Sequence, residues 1–170
     1  MGMAFLIRLA LLALGLCALP ASRVFKPASL IATICFAAAL LTLGWSGHAA
    51  ATEGGLGLFH RLNNGIHLLA AGLWLGAICW FLVFTIRAHR HPNLLPAYPL
   101  LQAMHVFAPL GVGLVAAVAV TGLINAHLIF GLGNSVSVFT TPYGLLLAAK
   151  VVLVGGMVAF GAHNATVGRR

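Results

Sequence analysis

The sequence predicts an all-α, polytopic transmembrane helix bundle of about five spans, and three observations carry that prediction. First, 62% of the 170 residues are hydrophobic, while charged residues make up 6%. No soluble domain of this length hides so much apolar surface. Second, the apolar residues fall into five runs, near 4–21, 28–46, 65–86, 103–130 and 143–163. A helix of about 20 residues crosses the hydrocarbon core, and its backbone is satisfied internally there. Third, nine Lys and Arg face a single acid, Glu53, and most of the basic residues sit in pairs between the runs. A pI near 10.9 on its own would suggest nucleic acid. Basic pairs flanking apolar runs instead set membrane topology, so nucleic acid is not expected as a partner and the lipid bilayer is.

The first run, "MGMAFLIRLALLALGLCALPAS", has the charge, apolar stretch and small residues of a signal peptide. Charge placement favours an uncleaved span. Arg23 and Lys26 follow the first run, Arg87 and Arg90 the third, and Arg169 and Arg170 the fifth. The positive-inside rule makes these segments cytoplasmic. The N-terminus and the 47–64 and 131–143 loops are then outside, and the C-terminus is cytoplasmic. An N-terminus placed outside suggests that the chain corresponds to the back part of a longer ancestor. The second run ends in "GWSGHAA", with Trp45 at interface depth. In the third, Gly72 and Gly76 form a small-xxx-small pair on which a neighbouring helix can pack. The proline-rich 87–102 segment is an irregular connection. In the long fourth run, Pro109 predicts a kink, and Gly131 and Gly133 predict a re-entrant or interfacial tail. The whole chain reads as a single transmembrane domain, 1–170.

Polar residues inside such runs are costly and mark function by default. On this topology His48, His60, His67 and His127 gather at the outer face, whereas His89, His91, His105 and His163 lie towards the inner one. His60, Asn63/Asn64, His67 and Trp74 recur at helical spacing and form one polar stripe leading into the bilayer. Neutral imidazole is the commonest metal ligand. The near-absence of carboxylates disfavours Mg, Ca and Mn. Cys35, Cys79, Met104 and Met157 lie deeper, and soft donors near imidazole favour copper. Two other readings of the same residues stay open. The histidines cap helix ends and bond backbone at the interface, or His67 and His127 act as axial ligands of a b-type haem.

Cys17, Cys35 and Cys79 are odd in number and lie in apolar runs, so they read as packing residues rather than a disulfide framework. Asn125 is placed for an interhelical hydrogen bond and could orient His127. Arg8 and Lys150 read as snorkelling cations, with a fixed positive charge near a site as the second reading of Lys150. Neither an ATPase domain nor a catalytic triad is legible, so the chain is not expected to be an enzyme.

"W-S-G-H-A" at 45–49, "H-L-L-A-A-G-L-W-L-G" at 67–76, "T-G-L-I-N-A" at 121–126 and "T-P-Y-G-L-L-L-A-A-K" at 141–150 occur in that order. In these motifs the chain resembles the copper resistance protein D family of bacterial inner-membrane proteins. Family members are usually longer, with about eight spans, and this chain looks like the C-terminal five. The resemblance implies copper, as Cu(I) or Cu(II), as the bound metal. It also implies a multi-pass place in the bacterial inner membrane, a part in copper uptake, and often a periplasmic copper-binding partner protein. It points to His48 and His67 as copper-site residues. Trp74, Asn125, Tyr143 and Lys150 match motif positions without an implied role.

The expected function is therefore copper binding at an outer-face site of His48 and His67, with His60 and His127 as further ligands. A haem protein and a metal-free scaffold subunit of a membrane complex are the alternatives.

Overall fold

The computed structural model of the chain describes residues 2–45, 54–91, 97–130 and 141–167. All described elements are helical: α1 (Gly2–Ala21), α2 (Pro27–Leu41), a 3-10 turn (Thr42–Trp45), α3 (Gly54–Arg90), α4 (Ala97–Phe130) and α5 (Pro142–Val167). The all-α class is as expected. Four helical stretches are long and apolar enough to cross a membrane, and α5 carries a shorter apolar stretch, Gly144–Ala159. Two compact units divide the chain, Met1–Asn125 and Ala126–Arg170.

In the first unit α1 and α2 form a helical hairpin. The chain turns after Pro20, and Pro27 opens α2 at a position where a missing N–H costs nothing. The buried side of α2 is a stripe of small residues, Ala28, Ala32, Cys35 and Ala39, which lets helices approach closely. On α1 the matching gap is Gly15: a Cβ there would stand 2.9 Å from a Phe36 ring carbon. Cys35 is thus a packing residue, as the sequence suggested.

Arg8 behaves differently from its expected role as a snorkelling anchor. Its Nε donates to Thr42 Oγ1 at 2.9 Å and its Nη2 to the Thr42 carbonyl at 3.1 Å. The last carbonyls of a helix lack partners within the helix, and they form the negative end of its dipole. A cation from α1 meets that need at the end of α2.

The third helix is the longest, at 37 residues. At 1.5 Å per residue it extends about 55 Å, well beyond a hydrocarbon core of about 30 Å. The surplus lies at its start. Gly54, with φ +68°, takes a left-handed conformation that suits glycine, and the helix runs from there through 54–64. The sequence had placed those residues in a loop; two amides and an imidazole that pack against a neighbour make helix the better state. The α2 contact also differs in detail. A Cβ on Gly65 would lie 2.9 Å from Leu41 and one on Gly72 3.1 Å from Leu40, whereas Gly76 has nothing within 4 Å. The small residues that admit α2 are therefore Gly65 and Gly72, two turns apart, rather than Gly72 and Gly76.

Within α4 the helix continues through Pro109. The expected tail at Gly131 and Gly133 lies outside the described residues. In the second unit, Thr141 Oγ1 accepts the Gly144 N–H at 3.1 Å, a capping bond at the start of α5. Lys150, on that helix, is exposed.

Candidate functional site

Asn63, Asn64 and His67 of α3 face α4. Gly57, His60, Asn63 and Ala70 are buried, and Asn64, His67 and Trp74 are half-buried, which is the stripe the helical spacing predicted. The two helices run antiparallel in one register. Asn63 meets Asn125, His67 meets Thr121, and Phe81 meets Phe107 with ring centroids 5.4 Å apart. Polar contacts are concentrated at the end where α3 starts. Further along the seam α3 contributes Phe81.

The hydrogen bonds at the polar end have fixed directions. Asn63 Nδ2 donates to the Thr121 carbonyl at 2.9 Å, and a carbonyl only accepts. The same amide nitrogen donates to Asn125 Oδ1 at 2.8 Å. With its oxygen accepting, Asn125 presents Nδ2 to Asn64 Oδ1 at 3.4 Å. A backbone carbonyl thus settles the orientation of these amides, which geometry alone leaves ambiguous. The interhelical bond expected of Asn125 is present.

His67 is oriented by the same turn of α4. Its Nδ1 lies 3.1 Å from the Val118 carbonyl and 3.0 Å from Thr121 Oγ1. The Thr121 hydroxyl has one proton, and its shortest contact is with the Ala117 carbonyl at 2.5 Å. Both groups facing Nδ1 are therefore acceptors, so Nδ1 carries the hydrogen. The lone pair of the neutral ring is then on Nε2. A metal-binding histidine typically has this arrangement, with one ring nitrogen donating to a carbonyl and the other held towards the metal. Gly122 completes the seat: a Cβ there would lie 3.3 Å from His67 Cε1.

The other expected ligands are distributed differently. His60, only 3% exposed, lies within α3 and not at a loose loop end. It precedes His67 by seven residues on the same face, about 10 Å along the axis. His48 lies outside the described residues, so its distance from His67 is not observed. Gly65 and Gly72 turn to α2, while His67 points about 200° round the helix, to α4. His127 is exposed and belongs to the second unit. Cys79 and Met104 are exposed. Among the described residues no group of three or more His, Cys, Asp or Glu is assembled for a metal.

Thr121 and Gly122 stand in the T-G-L-I-N-A motif but, like Val118, were not expected as site residues. A usable signal was there. Thr121 and Asn125 stand four residues apart on α4, as Asn63 and His67 do on α3. Matching polar pairs at that spacing on adjacent antiparallel helices define a shared face.

Comparison with known proteins places this seam in a family. Residues 101–170, which include the α4 half of the seam, match the model described as Copper resistance protein D. Residues 1–58 match the model described as Copper resistance protein D-like, N-terminal domain. Copper resistance protein D of Pseudomonas syringae pv. tomato is 31% identical over 96% of the chain and 53% of its own length. The chain belongs to the copper resistance protein D family. The match at 1–58 is to a model described as N-terminal, which bears directly on the expectation that the chain represents only the family's last five spans.

Two further relatives of this family member are inner membrane protein YebZ of Escherichia coli (strain K12) and copper transport protein CutJ of Bacillus subtilis (strain 168). YebZ is 32% identical over 75% of the chain and 41% of its own length; CutJ is 28% identical over 81% of the chain and 24% of its own length. The chain thus spans from about a quarter to about half of the curated relatives it matches. No solved structure matches it. With its apolar helices, it is a multi-pass membrane protein of a copper-resistance family.

Proposed function

We propose that this protein binds copper at the polar end of the α3–α4 seam and takes part in copper uptake or homeostasis across the bacterial inner membrane. The observation that carries the reading is the seat of His67: an Nδ1–H directed at the Val118 carbonyl leaves Nε2 as the basic nitrogen. Two relatives named for copper resistance and copper transport support copper as the metal. So does the donor chemistry, since imidazole suits copper and carboxylate is confined to Glu53.

In this reading His67 is the central ligand. His60 lies on the same stripe nearer the start of α3, and His48 and His127 are the further imidazoles that the sequence offers. The pattern of basic residues puts this end of α3 at the periplasmic face, where a copper-binding partner protein would deliver the metal. The chain acts by binding and passing on a metal ion, not by an enzymatic reaction. Metal analysis of the purified chain beside a His48→Ala/His67→Ala double variant tests the proposal. Copper retained by the parent and lost by the variant supports it; equal copper in both refutes it.

A further inference from the structure

We propose that Thr121 is a positioning residue for the metal site: with the Val118 carbonyl it holds His67 as the Nδ1–H tautomer, so that the ring's lone pair is on Nε2, the nitrogen that would bind copper. This rests on the reading of His67 as a copper ligand and adds what makes that ligand competent. Free neutral imidazole exchanges between two tautomers, and only the lone-pair nitrogen binds metal. In the tautomer with hydrogen on Nε2, the bare Nδ1 would face the Val118 carbonyl at 3.1 Å and Thr121 Oγ1 at 3.0 Å. The Thr121 proton is committed to Ala117 at 2.5 Å, so that tautomer would set lone pairs against each other.

Thr121 has a second hold on the same place. Its carbonyl accepts from Asn63 at 2.9 Å, which fixes this turn of α4 against α3 one helical turn from His67. The residue itself is 7% exposed, so water does not readily replace it. Gly122 beside it leaves room for the ring: a Cβ would stand 3.3 Å from Cε1 and 3.7 Å from Nδ1. Thr121 and the Val118 carbonyl together set the tautomer, and Gly122 gives the ring its place against the helix.

The test combines 15N NMR of histidine-labelled full-length protein at pH 8 with titration by Cu(I) and Cu(II), in the parent, Thr121→Val, Thr121→Ser and Gly122→Ala. The His67 signals are assigned by difference from His67→Gln. The parent should show His67 mainly as the Nδ1–H form. Thr121→Val, close in shape but lacking the oxygen, should move the ring towards a tautomer mixture and weaken copper binding about 10-fold or more, as loss of such supporting partners does. Thr121→Ser should restore both. Gly122→Ala should weaken copper binding with the hydroxyl still present, and it provides a test if Thr121→Val does not fold.

A parent ring found mainly as Nε2–H would overturn the proposal. So would unchanged tautomer and affinity in Thr121→Val and Gly122→Ala. Copper binding by His67→Gln equal to the parent, together with the expected tautomer, would instead refute His67 as a ligand and with it the metal role of Thr121. The tautomer signal needs no copper, so the two failures are separable.

Discussion

His67 shows how neighbouring groups fix the direction of one imidazole. Its acceptor neighbours on α4 decide which nitrogen is protonated, and a glycine beside them makes the space. If copper binds at Nε2, protonation fills the lone pair that the metal needs, so copper binding should weaken as pH falls and recover as it rises. Titrations at several pH values check this; an affinity independent of pH between about 5.5 and 7.5 would contradict imidazole ligation.

Asn63 is a separate case, because it joins helices. Asn63→Leu removes two bonds, at 2.9 and 2.8 Å, and leaves Asn125 without that donor. Interhelical hydrogen bonds in membranes contribute about 0.6 kcal/mol on average and up to about 1.7 kcal/mol. A loss of about 1–2 kcal/mol is expected in reversible unfolding from detergent; an unchanged unfolding curve would show that the bonds contribute no net stability.

The helices meet where side chains are smallest, and that sets a second contrast. Gly15 sits under the Phe36 ring and Gly65 under Leu41, whereas Gly76 has open space around the position of a Cβ. Gly15→Leu should therefore destabilise the α1–α2 hairpin by about 1–3 kcal/mol, the usual range for overpacking. Gly76→Ala should be neutral or slightly stabilising, since alanine favours helix over glycine. Thermal unfolding of both variants checks this, and equal effects would mean that the glycine contacts do not govern packing.

Element by element, the spans were legible because apolar length is a strong signal, and so was the stripe of His60, Asn63, Asn64 and His67. The start of α3 was not. Residues 54–64 are glycine-rich and polar, so they read as a loop; burial of His60 and Asn63 against a neighbour overrides that local preference. The neighbour itself was also hidden. Nothing in the periodicity of α3 says that Gly65 takes α2 while His67 takes α4. Arg8 was read by depth alone, and the carbonyls at the end of α2 that attract it are invisible in its own helix.

Across the whole molecule, the polar end of α3 matters only if it faces the compartment from which copper arrives. The charge pattern predicts that Arg23/Lys26 and Arg87/Arg90 lie at the opposite, cytoplasmic face. Single cysteines introduced at positions 24 and 91, in a background lacking the native thiols, should resist a membrane-impermeant maleimide in intact cells and react after lysis. Reaction at position 91 in intact cells would invert the map and place the polar end inside.

Copper binding at His67 is the central claim, and an equilibrium copper titration of the full chain in lipid nanodiscs at pH 7 tests it most directly. The parent should bind copper, and folded His67→Ala should bind it at least about 10-fold more weakly, since a lost ligand should cost no less than a lost supporting partner. A folded His67→Ala variant with the parent's affinity would contradict it, and the polar seam of α3 and α4 would then serve only to hold the two helices together.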